Sequence, residues 1–193
     1  MGNRLQAIVG VSLVLLALAL PLVVALRQQR DTRNFSVVTP GVLFRSAQLP
    51  TNGLRRLYHD RGIKAVVCIR DESPTTEAER RWCETNEIRF VRIDTQNWTG
   101  SPGSSPVDAC LRQFLDVVED PKNQPVLVHC FAGVHRTGGY VAIYRMEHEG
   151  WTAEEALEEM RSRGYDRLDE EEDIRSYIQS YRAGVLRGSQ VRR

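Results

Sequence analysis

His129-Cys130-Phe131-Ala132-Gly133-Val134-His135-Arg136-Thr137-Gly138, HCFAGVHRTG, decides how this 193-residue chain is read. Val126-Leu127-Val128 comes just before it, a short apolar β-branched run that predicts a buried strand. From Thr137 onward the apolar residues fall at helical spacing. The segment is therefore a loop between a buried strand and a helix N-terminus. Such a loop aims backbone N–H groups at one spot, and the helix dipole favours negative charge there. A thiol in that place ionises readily, since such settings lower its pKa from about 8.5 to roughly 3.5–7.5. The planar fork of Arg136 suits two oxygens of a tetrahedral oxyanion.

The pattern His-Cys-x5-Arg-Thr-Gly resembles the signature loop of the cysteine-dependent protein tyrosine and dual-specificity phosphatases. The resemblance implies that Cys130 attacks phosphorus and that water then releases phosphate from a phosphocysteine. It implies that the amides of Phe131, Ala132, Gly133, Val134 and His135 cradle the phosphate while Arg136 clamps its oxygens. Thr137 would steady the thiolate as leaving group, and His129 would order the loop and support the low thiol pKa from behind. Val42-Leu-Phe-Arg-Ser-Ala-Gln-Leu-Pro and Ile69-Arg-Asp-Glu resemble segments of the compact atypical dual-specificity phosphatases. Arg45 and Arg70 in those segments either reach the site or simply end strands.

The family usually supplies an aspartate from a mobile loop to protonate the leaving oxygen. The Trp-Pro-Asp pattern is absent, and Asp94, at a strand's C-terminal end beside the run Thr99–Pro106, is the candidate. Asp108 reads instead as a helix cap, and Asp116, Glu119 and Asp120 as solvated helix residues. Phe131, Val134 and His135 give a neutral rim, which attracts polyanionic head groups less than lysines would. Phosphotyrosine or phosphoserine/threonine in proteins is thus the expected substrate, with a phosphoinositide or an inositol phosphate as the alternative. A phosphate-binding pseudoenzyme and an arsenate- or sulfur-handling enzyme are the rival classes. Neither a metal nor a cofactor is called for.

The whole chain reads as α/β: a parallel-rich central sheet flanked by helices, preceded by one transmembrane helix. Ala7–Leu26 carries no charged residue and is long enough to span a bilayer. Arg27, Arg30 and Arg33 outweigh Arg4, so the positive-inside rule puts the rest of the chain in the cytoplasm. The expected organisation is an anchor over 1–26, a linker over 27–34, a phosphatase-like domain over 35–185 and a basic tail over 186–193. The expected partners are the phosphorylated substrate and the membrane. A net charge of +1 does not suggest nucleic acid. Cys68, Cys83, Cys110 and Cys130 form no C-x-x-C pair. Cys68 is either core packing or, as in some related phosphatases, a reversible disulfide partner for Cys130. Thr76-x-x-Glu79 and Thr152-x-x-Glu155 read as capping boxes.

Overall fold

The structure, a computed structural model, describes residues 10, 15–21, 23 and 31–188. Strands β1 (Ser36–Thr39) and β2 (Leu43–Ala47) form an antiparallel hairpin around the Thr39-Pro-Gly turn. Helix α1 (Thr51–Arg61), strand β3 (Ala65–Cys68), helix α2 (Pro74–Thr85) and strand β4 (Arg89–Arg92) follow. Next come α3 (Asp108–Glu119), β5 (Val126–Cys130), α4 (His135–His148), α5 (Ala153–Ser162), α6 (Glu172–Ser180) and α7 (Val185–Gly188). The sheet order is β1-β2-β5-β3-β4, and every pair except β1–β2 is parallel. The β5 strand is thus central, and its C-terminal end opens onto the crevice where such sheets bind ligands.

Side chains alternate along each strand between two cores. Leu43, Ala65, Val67, Val126 and Val128 enter the larger core with α3 to α6. Phe44, Val66 and Leu127 enter the smaller one with α1 and α2. Helix α1 ends at Gly62, which takes the left-handed conformation at φ 66° that a side chain would disfavour. The Thr152 capping box is present as the sequence predicts. The one predicted at Thr76 is shifted: Ser73 is the N-cap, Thr76 is its partner, and Pro74 opens the helix. Glu79 is thereby free for another role.

The membrane placement needs correction. No helix among the described residues is long and apolar enough to cross a membrane. The single-pass, cytoplasm-facing placement expected from Ala7–Leu26 is withdrawn, and the membrane is withdrawn as a partner. Most of that run lies outside the described residues, as do 27–30 of the linker and 189–193 of the tail.

Candidate active site

The loop from Cys130 to Arg136 leaves the end of β5 and enters α4 at His135, two residues earlier than the apolar spacing alone indicates. Three successive carbonyls of this loop are turned back into the protein. Phe131 O accepts from Gln48 N at 3.2 Å and from Arg33 Nη2 at 2.8 Å. Ala132 O accepts from Asn34 Nδ2 at 2.8 Å, and Gly133 O from Arg45 Nη2 at 2.9 Å. With the carbonyls held outside, the amides face inward. Gly133 N–H donates to Cys130 Sγ at 3.3 Å. Gly133 has φ +72°, and a Cβ there would lie 2.3 Å from Ser46 O, so the loop rests directly on the end of β2.

Cys130 is 4% exposed. Burial pushes its thiol up, but the Thr137 hydroxyl, the amides of Thr137 and Gly133, and the charge of His129 outweigh burial and bring it below its ordinary value. Thr137 Oγ1 is buried and finds no oxygen or nitrogen partner among the described residues. Arg136, in the first turn of α4, is half-buried. Its guanidinium is engaged by no hydrogen bond or ion pair with another described residue. A thiolate, a ring of inward amides and an uncommitted guanidinium meet at a helix N-terminus. That arrangement binds a tetrahedral oxyanion and places a nucleophile against its centre.

Arg45 does reach the site, from behind. It is 1% exposed, and burial lowers its pKa to about 10, with Glu159 opposing. Arg70 reaches the mouth instead: its guanidinium lies 5.3 Å from the Phe131 ring, and that of Arg33 lies 5.5 Å from it. Phe131 is 62% exposed between them. The rim that looks neutral within the loop is therefore cationic, because two distant segments supply arginines. His135 is turned away from the cradle, with Nε2 2.8 Å from Glu171 Oε2 and its ring against Tyr165.

Asp94 sits just past β4, at the same end of the sheet as Cys130 but two strands across. Its exposed carboxylate pairs with Arg92, and its carbonyl faces Cys110 Sγ at 3.7 Å. The loop that follows is anchored in the core rather than free. Trp98 is 5% exposed and packs edge-on against Tyr140 and Tyr177. Asp108 accepts from Ser105 N at 3.0 Å and from Tyr177 Oη at 2.6 Å, so its carboxylate closes this loop.

Cys68 does not face Cys130. It pairs in register with His129, and the pleat turns both side chains towards α2 while Cys130 points into the opposite core. Cys68, Glu79 and His129 bring ligand-type atoms within 4.8 Å of one another. His129 Nε2 lies 3.0 Å from Glu79 Oε1, within ion-pair distance. Of the two readings of Cys68, this geometry favours core packing over a disulfide with Cys130. Glu79 escapes sequence reasoning because its spacing from Thr76 imitates a capping box.

A family model described as the tyrosine phosphatase family matches residues 31–191. The chain belongs to that family. It is 33% identical over 146 residues to the dual specificity protein phosphatase TpbA of Pseudomonas aeruginosa, covering 75% of this chain and 62% of that protein. It is 30% identical over 128 residues to the inositol diphosphatase DSP3 of Arabidopsis thaliana, covering 65% and 60%. The chain thus spans about three fifths of the length of these curated relatives. Among solved structures, P. aeruginosa TpbA superposes with a TM-score of 0.63 at 25% identity, covering 86% of this chain and 99% of that one. The catalytic core of the PP-IP phosphatase SIW14 of S. cerevisiae shares the fold, with a TM-score of 0.67 at 21% identity over 83% and 93% of the chains.

Proposed function

We propose that this protein is a cysteine-dependent phosphatase that hydrolyses phosphate monoesters, phosphotyrosine and phosphoserine/threonine in proteins, within a domain spanning 35–185. The observation that carries the reading is the inward-facing amide cradle around Cys130 with Arg136 uncommitted at its end. The Cys130 thiolate attacks phosphorus, an S–P bond forms, and the P–O bond to the leaving group breaks. Asp94 gives its proton to the departing oxygen. Water then attacks phosphorus, the S–P bond breaks, Asp94 recovers a proton from that water, and phosphate leaves. Amides from Phe131 to His135 and the Arg136 fork stabilise the charge on the equatorial oxygens throughout. Thr137 hydrogen-bonds the departing thiolate in the second step. Support comes from TpbA, a named dual specificity phosphatase, one of whose variants has been solved with phosphotyrosine.

A second reading is an inositol diphosphate as substrate. It is favoured by the Arg33 and Arg70 guanidinia at the mouth and by the exposed, arginine-paired setting of Asp94. Attack on the terminal phosphorus of such a diphosphate transfers that phosphoryl to sulfur and expels the inositol phosphate, a good leaving group that needs little protonation. A panel of phosphopeptides, phosphoinositides and inositol diphosphates, offered to the protein and to Cys130→Ser, tests both. Preferential turnover of phosphopeptides supports the first reading and preferential cleavage of the anhydride the second. Turnover that survives Cys130→Ser refutes both.

A further inference from the structure

Behind the anion loop, on the opposite face of β5, lies a group of ionisable side chains that phosphate transfer does not touch. His129 is 1% exposed, Cys68 0% and Glu79 7%. A carboxylate is expensive to bury without a partner, so Glu79 needs an explanation. Its Oε1 lies 3.0 Å from His129 Nε2, and its Oε2 accepts from Gln48 Nε2 at 3.4 Å. His129 Nδ1 lies 3.2 Å from Cys130 O, which can only accept, so Nδ1 carries a proton. A neutral ring would then point the Nε2 lone pair at a carboxylate oxygen. A second proton, held on Nε2, turns that opposition into an ion pair.

We propose that Glu79 is a positioning residue for the reaction: its carboxylate keeps His129 protonated, and that charge, one residue behind Cys130, keeps the thiol ionised. The proposal rests on Cys130 as the reactive thiolate. The groups that face His129 are Glu79 from α2, Cys68 from β3 and Cys130 on its own strand, with Cys83 beside Glu79. Burial first, then Glu79, pushes the Cys83 thiol up to about 12, so it brings no charge at neutral pH. Glu79 is the carboxylate of this group, and its Oε1 lies within ion-pair distance of His129. Burial works against a charged His129, yet Glu79 and Cys68 hold it well above its ordinary value. Without the Glu79 charge, burial, the largest influence on the ring, is opposed by Cys68 alone, so the ring gives up its proton at lower pH and Cys130 loses a positive neighbour. Its thiol pKa then rises. The loss of thiolate falls on the acid side and disappears at alkaline pH, where the thiol ionises unaided.

The test is Glu79→Gln in the full chain. The variant is close in shape, and its amide can donate to a neutral His129, so the packing survives. The rate of Cys130 carboxymethylation by iodoacetate is followed against pH by peptide mass spectrometry, beside the pH profile of kcat/KM. The expected result is an upward shift of about one pH unit or more in both midpoints, with ~tenfold slower alkylation below them and recovery above. Glu79→Asp, which keeps the charge, stays closer to the wild type. An unchanged midpoint, or a loss equal at every pH, overturns the proposal. So does a stoichiometric metal ion that co-purifies with the wild type and leaves in Glu79→Gln, because a metal would replace the proton on Nε2. Alkylation needs no turnover: a shifted midpoint in a protein that releases no phosphate would uphold the positioning role while refuting the proposed function.

Discussion

Gly133→Ala attacks the loop at its tightest contact. The residue sits at φ +72°, where an L side chain is strained by about 1–2 kcal/mol. Its Cβ would also lie 2.3 Å from Ser46 O and 2.5 Å from Ala47 N, whereas ordinary contact begins at 3.4 Å. Those atoms are backbone of β2, held in register with β5, and cannot yield. The loop must therefore lift by about 1 Å, and a displacement of that size in a reacting geometry costs on the order of 10²-fold. Lifting also weakens the Gly133 N–H···Sγ and Arg45–Gly133 O bonds that shape the cradle. The expected outcome is an activity on p-nitrophenyl phosphate at least ~10²-fold lower. Thermal unfolding should shift by only about 2–8 °C, since 1 kcal/mol corresponds to roughly 2–4 °C at this size. A Gly133→Ala enzyme within threefold of wild type would refute the claim that this loop lies rigidly on β2.

Arg136→Lys should lose most activity, because a point charge cannot replace the bidentate fork; near-normal rates on p-nitrophenyl phosphate would remove Arg136 from the site. Asp94→Asn should slow alkyl phosphates far more than activated aryl phosphates, by up to about 10²–10⁴-fold, as expected for a positioned acid. An equal, small effect on both classes would assign the proton elsewhere. Tyr177→Phe leaves a buried oxygen of Asp108 unpaired and should cost about 1–3 kcal/mol, read as a lower Tm with p-nitrophenyl phosphate hydrolysis retained. An unchanged Tm would mean that the carboxylate finds another donor.

Much of this was legible in one stretch of residues. An apolar strand, a Cys-x5-Arg loop and a helix start lie contiguous in sequence, so their spatial relation follows from chain connectivity alone. Short apolar strands alternating with helical segments likewise made the parallel-rich sheet legible. What escaped depends on contacts between distant segments. Arg33 and Arg70 make the rim cationic from outside the loop. Arg45 looks like any strand residue until β2 is laid beside β5. Glu79 has the spacing of a helix cap and the surroundings of a core residue. Cys68 lies beside the right strand but on the wrong face, a distinction that only register decides.

The central claim is that phosphate passes through Cys130. Rapid acid quench of the protein turning over a ³²P-labelled phosphotyrosine peptide tests it most directly. The label is predicted to appear on the peptide that carries Cys130, in amounts that rise and decay with turnover, and to be absent from Cys130→Ser. Phosphate release at the wild-type rate by Cys130→Ser, or label attached to another residue, would contradict it.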